Sequence, residues 1–140
     1  PREAGALRDD VNKMRTRMRT ELDRSDIARF DLKQGAGGLV DLEFLLQYLV
    51  LRESAQHAAL LLPRDTPGLI AALARCGVMP AGEASALEQV HAPSVADGLA
   101  CTLDRRPRLV PESGALAAAR AIVTRATQAH GLRFDAGKPS

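Results

Sequence analysis

Residues Arg29 to Arg52 read RFDLKQGAGGLVDLEFLLQYLVLR. The stretch changes character in its middle. Lys33-Gln34 leads into Gly35-Ala36-Gly37-Gly38, three glycines in four residues, and an apolar run follows at once. Leu42, Leu45, Leu46, Leu49 and Val50 fall on one helical face, and Phe44, Tyr48 and Leu51 widen it. A helix that is apolar nearly all round belongs at the centre of a domain. The pattern predicts a helix from about Leu39 to His57. Gln47 is its polar exception, and if buried it needs a hydrogen-bond partner.

The glycines permit positive φ and close backbone approach. A backbone that turns through them into a helix presents free N–H groups at the positive end of the helix dipole. Such an end can hold a phosphate. The same residues also read as nothing more than a tight turn. Asp41 and Glu43 then offset the dipole, worth about 0.3–1 kcal/mol each. They could otherwise hold a metal or a basic side chain. Two nucleotide motifs do not fit. Lys33 precedes the glycines and no Gly-Lys-Ser/Thr follows, so this is not a P-loop. The third glycine of a dinucleotide fingerprint is missing, and no clear strand comes before.

Upstream, Glu3 to Asp23 reads as a first helix. Leu7, Val11, Met14, Met18 and Leu22 make its stripe. Lys13, Arg15, Arg17 and Arg19 spread around that helix, as a solvated surface would. Ile27 to Lys33 is short and mixed, with an extended conformation open to it. Downstream, Thr66-Pro67 reads as an N-cap and first-turn proline, with Gly77 as the C′ residue. Another helix starts near Ala81, with Ala84, Leu87, Val90, Val95, Leu99 and Leu103 as apolar positions. Pro93 predicts a kink or a break near Val90–Ala92, because an interior proline costs about 3 kcal/mol if undistorted, with a fifth helix from Ser94. The last helix begins between Pro111 and Ser113 and ends at Gly131, with Leu116, Ala119, Ile122, Val123 and Ala126 inward. Arg105-Arg106-Pro107-Arg108 reads as a solvated basic turn. No alternating strand pattern occurs. The expected architecture is an all-α bundle of five or six helices with no sheet, over residues 1–134, with a disordered tail at 135–140.

Bulk properties agree with one helical domain. A chain of 140 residues buries about 68–70% of its unfolded surface. Aromatic residues are 3%, while alanine, leucine and arginine dominate. A net charge of +2 gives no ground for nucleic-acid or membrane partners. Apolar runs fall short of the ~20 residues a membrane span needs. Cys76 and Cys101 lack metal or redox spacing and read as reduced core residues of a cytoplasmic protein. His57, His91 and His130 are scattered. The chain begins at Pro1, which suggests a processed or excised fragment.

The pattern Lys33-x-Gly35-x-Gly37-Gly38-Leu39-x-Asp41-Leu42-Glu43-Phe44 resembles the signature that follows the nucleotidyltransferase domain in bacterial glutamine synthetase adenylyltransferases. Arg29-Phe30-Asp31 and Gln47 to Arg52 look like the adenylylating, C-terminal half of those bifunctional enzymes. The likeness extends more weakly from about Leu7 to Phe134. It implies a helical domain C-terminal to a nucleotidyltransferase domain outside this chain, with the first helix packed near that domain so that Arg15, Arg17 or Arg19 could face it. It also implies AMP transfer from ATP to a tyrosine of glutamine synthetase, with Mg2+ and with control by the PII signal protein and glutamine. Nucleotidyl transfer needs carboxylates gathered around divalent cations. In the family these lie on paired aspartates of the upstream domain, a motif this chain lacks. No catalytic or metal residue is therefore expected here, and the fragment alone is expected to be inactive and without cofactor. Lys33, Gly35, Gly37, Gly38, Asp41 and Glu43 are the expected nucleotide-binding or cleft-lining residues. Lys33 would reach a phosphate, Gly37 and Gly38 would admit close approach, and Asp41 and Glu43 would fix the loop or contact a metal or basic group. Two other readings stand. One is the equivalent domain of a PII uridylyltransferase, which carries a related Gly-Gly-Leu-x-Asp motif; Glu43-Phe44 and the Gln47–Arg52 run favour the adenylyltransferase. The other is a helical interaction module without nucleotide chemistry.

Overall fold

A computed structural model describes residues 4–25, 29–32, 35–63, 65–103, 109–111 and 113–134. Lys33, the 105–108 turn and the 135–140 tail lie outside these residues. Among the described residues there are five α-helices: α1 (Ala4–Leu22), α2 (Leu39–Glu53), α3 (Thr66–Arg75), α4 (Ala81–Leu103) and α5 (Gly114–Ala129). A 3-10 turn over Ala58–Leu61 links α2 to α3. The class is all-α, as the periodicity requires. It carries one small β feature: β1 (Arg29–Asp31) pairs antiparallel with β2 (Leu109–Pro111), Phe30 opposite Val110. Strands of three residues are too short to show alternation in a sequence, and this ribbon is the only sheet structure among the described residues.

Helix α2 sits at the centre. Leu42, Leu45, Leu46, Tyr48 and Leu49 are buried against Leu69, Ile70 and Leu73 of α3, Leu87 and Val90 of α4, and Val123 and Ala126 of α5. Leu132 and Phe134 close the core from the C-terminal side. Gln47 is exposed and needs no partner inside; Leu51 is also exposed. Helix α2 stops at Glu53, earlier than His57, where Ser54 caps it through the Val50 carbonyl.

Local chemistry sets the other ends. The N-cap of α3 is Asp65, one residue before the expected Thr66, and its Oδ1 accepts the Gly68 N–H at 2.8 Å. Ser113 caps α5 by accepting the Leu116 N–H at 3.1 Å. Gly77 and Gly131 end α3 and α5 at positive φ. Val78 N–H reaches the Leu73 carbonyl and Leu132 N–H the Thr127 carbonyl, the bond pattern that a left-handed C′ residue makes possible.

The expected break at Pro93 does not occur. Helix α4 runs through it without interruption. Pro93 and Gln89 are both exposed, so the carbonyl that loses its partner lies on the solvent side. An unbroken helix also keeps its phase. Ser94, Gly98 and Cys101 continue the inward face of Ala84, Leu87 and Val90, while Val95 and Leu99 point outward. Cys101 packs with Leu32, Val110 and Leu116 in a small second cluster under the ribbon.

Helix α1 departs furthest from its reading. The inward face is not Met14 and Leu22, which are 62% and 48% exposed. It runs through Leu7, Val11, Arg15 and Arg19 at intervals of four, and the two arginines are buried at 0% and 4% exposure. The solvated-surface reading holds for Lys13 and Arg17 and fails for Arg15 and Arg19. Hydrophobic periodicity cannot register a buried cation, because the partner that makes its burial possible is distant in the chain.

Candidate functional site

The Arg15 partner is Asp41, in the first turn of α2. The Arg15 Nε donates to Asp41 Oδ1 at 2.5 Å, in a pair whose side chains are 0% and 6% exposed. The second Asp41 oxygen accepts the Gly37 N–H at 2.6 Å. Asp41 thus closes the glycine loop from inside the helix that the loop starts, an arrangement close to a capping box. The Arg15 guanidinium also lies over the Phe44 ring, 5.9 Å from its centroid. Phe134 meets that ring edge-on at 6.1 Å. The Phe134 carbonyl in turn accepts the Thr16 hydroxyl at 3.0 Å.

Other groups of the loop are bonded within the chain as well. Gly35 N–H donates to the Asp31 carbonyl, Gly38 N–H to the Gly35 carbonyl and Leu39 N–H to the Leu32 carbonyl, all near 3.0 Å. The Asp31 side chain is buried and accepts the Arg24 N–H. From the other side, Arg120 of α5 donates its Nε–H to the Ala36 carbonyl at 2.9 Å. Gly37 has φ +76°, and a Cβ built there would stand 2.6 Å from the Arg120 carbonyl oxygen and 2.9 Å from its Cα. The close approach that the glycine permits is made by the backbone of α5.

The structure therefore brings together Gly35, Gly37, Gly38 and Asp41 at a joint between α1, α2, α5 and the ribbon. It does not bring in Glu43. Two residues advance a helix by about 200°, so Glu43 leaves the loop side and is exposed. There it lines two grooves, one with Pro63 and Thr66, the other with Leu7, Met14 and Leu51. Asp41 and Glu43 are not a metal pair, and Asp41 has both oxygens committed. Among the described residues no three histidine, cysteine, aspartate or glutamate side chains gather as ligands would. The N–H groups of Gly35, Gly37, Gly38 and Leu39 are all spent within the chain, so they do not form a phosphate cradle as they stand. His130 pairs with Glu83 at 3.1 Å and ties α5 to α4. Both cysteines are free, Cys101 buried and Cys76 partly so.

Sequence reasoning missed Arg15, Arg120 and Phe134 as parts of this joint, and it missed the burial of Arg19. One signal was present: Leu7 and Val11 continue to Arg15 and Arg19 at the same spacing of four.

Fold and joint together define a helical domain whose glycine loop is a fixed corner. Residues 6–93 match the family model described as GlnD PII-uridylyltransferase, and the chain belongs to that family. Among curated proteins it is similar to the bifunctional glutamine synthetase adenylyltransferase/adenylyl-removing enzyme of Stenotrophomonas maltophilia strain K279a, 63% identical over 133 residues, 95% of this chain and 14% of the relative. The enzyme of the same name from Xanthomonas campestris pv. campestris strain B100 is 56% identical over 137 residues, 98% of this chain and 15% of the relative. That from Pseudomonas aeruginosa is 36% identical over 103 residues, 65% of this chain and 10% of the relative. The resemblance carried by Lys33 to Phe44 is thus matched along nearly the whole chain, which spans about 14% of the length of the first of these relatives. No helix among the described residues is long and apolar enough to cross a membrane.

Proposed function

We propose that this chain is the helical domain that follows the adenylylating catalytic domain of a glutamine synthetase adenylyltransferase, and that it forms one wall of the nucleotide cleft. The observation that carries the reading is 63% identity to such an enzyme over a segment that is 14% of its length. The longer protein transfers AMP from ATP to a tyrosine of glutamine synthetase in the cytoplasm, with Mg2+ held by carboxylates of the catalytic domain and with PII and glutamine as regulators. This chain supplies no catalytic carboxylate. Its glycine corner sets the angle at which β1 and α2 meet the catalytic domain. Lys33 remains the residue that reaches a phosphate, and Glu43, on the exposed side of α2, faces outward toward a neighbour.

The description of the family model favours a second reading, PII uridylylation by the same domain arrangement. A transfer assay on the longer protein separates them. ATP with glutamine synthetase and UTP with PII are compared as substrate pairs, for the unaltered protein and for Lys33→Ala. We expect label from ATP only, on glutamine synthetase, and a loss of about tenfold or more with Lys33→Ala at unchanged folding. Transfer from UTP to PII would establish the second reading. Full activity in Lys33→Ala would remove Lys33 from the cleft.

A further inference from the structure

One buried charge in this domain has no use in the corner just described. Arg19 is 4% exposed, one turn beyond Arg15 on the same face of α1. Among the described residues no hydrogen bond or ion pair engages its guanidinium; Asp41, beside it, is taken by Arg15 and the Gly37 N–H. Arginine does not shed its charge to escape burial, as a lysine does. A desolvated cation without a partner is unfavourable. The guanidinium is not walled in either. No side-chain nitrogen or oxygen among the described residues is both sealed from the surface and unbonded.

Arg19 opens on a cavity of about 40 Å3, lined also by Asp41, Thr124, Thr127, Gln128 and Arg133. Thr127 spends its hydroxyl proton on the Thr124 carbonyl, at 2.8 Å. Gln128 and Arg133 are exposed residues at the rim. The negative charge of Asp41 is balanced by Arg15, so Arg19 and Arg133 leave the cavity positive. One water needs about 10–15 Å3 of such space, so the cavity has room for about three heavy atoms, the size of a carboxylate group. A nucleotide does not enter; a carboxylate group does, and a planar guanidinium matches it with two parallel N–H donors.

We propose that this cavity is a carboxylate site, with Arg19 as its anchor and Gln128 and Arg133 at its mouth. The same chemistry can come from a free carboxylate or from an aspartate or glutamate of another part of the longer protein. The site does not depend on the adenylyltransferase reading.

The test is thermal unfolding of the 140-residue chain in sodium acetate against sodium chloride at equal ionic strength, for the unaltered chain and for Arg19→Met. Acetate should raise the midpoint saturably, by about 8 °C near ~100 mM for a site with a Kd of ~1 mM. Arg19→Met should match or exceed the unaltered chain in chloride, since it removes an unpaired buried charge, and should lose the acetate response. The longer protein then distinguishes the sources. A persisting acetate response identifies a free carboxylate. A response that is absent, together with destabilisation by Arg19→Met, identifies a carboxylate supplied by the protein itself. Equal midpoints of the 140-residue chain in acetate and chloride, or an acetate rise that survives Arg19→Met, would overturn the proposal.

Discussion

Asp41→Ala should destabilise this domain by about 3–5 kcal/mol, much of what a domain of this size has to lose. The reason is asymmetry. A buried ion pair adds little net stability over an apolar pair of the same shape, but removing one member strands the other. Here two groups lose a bond to Asp41, the Arg15 guanidinium at 0% exposure and the Gly37 N–H. Asp41→Asn should cost less, because an amide oxygen can still accept from Gly37 while the charge is gone. Replacing both partners, Arg15→Met with Asp41→Leu, should recover about 2–3 kcal/mol relative to the sum of the single losses. Urea unfolding of Arg15→Met, Asp41→Leu and the double variant beside the unaltered chain checks this. Purely additive losses would mean that Arg15 and Asp41 act independently, contrary to their 2.5 Å contact.

Gly37→Ala comes second. Its φ of +76° costs an L-residue about 1–2 kcal/mol. The added methyl also meets the Arg120 carbonyl at 2.6 Å, backbone that belongs to α5 and cannot swing aside like a side-chain end. Overpacking of that kind adds about 1–3 kcal/mol, for a total near ~2–5 kcal/mol. Gly77 is the internal control. It has the same φ of +76° but open space where the methyl would go. Gly77→Ala should therefore cost only the conformational part, about 1–2 kcal/mol. Equal losses at the two sites, by the same unfolding measurement, would remove the α5 contact from the account.

These two residues also show where a sequence is informative and where it stops. The helical class, the central place of α2 and the terminating roles of Gly77 and Gly131 were legible, because each depends on neighbours within a turn or two. The glycine loop was legible as a special place, but its partner was not. Nothing in Gly35-Ala36-Gly37-Gly38 says whether a nucleotide or the backbone of α5 makes the close approach, since Arg120 is 83 residues from Gly37 (120 minus 37). The sequence reads Arg15 as solvated for the same reason: its burial depends on Asp41, 26 residues away. Pro93 failed differently. The cost of an interior proline was read correctly, but the exposure of Gln89, which leaves room for the freed carbonyl to meet solvent, is a tertiary fact. The β1–β2 pairing joins residues some 80 apart, with Phe30 opposite Val110, and three-residue strands leave no pattern.

The most direct test of the corner is a titration of the 140-residue chain with Mg-ATP, followed by its backbone amide resonances, beside calorimetry of the longer protein that includes the catalytic domain. With the N–H groups of Gly35, Gly37, Gly38 and Leu39 already bonded within the chain, the isolated domain should show no saturable change at these residues, and only the longer protein should bind. Saturable shifts at Gly35 to Leu39 in the isolated chain would contradict the account, for the loop would then open to hold phosphate itself.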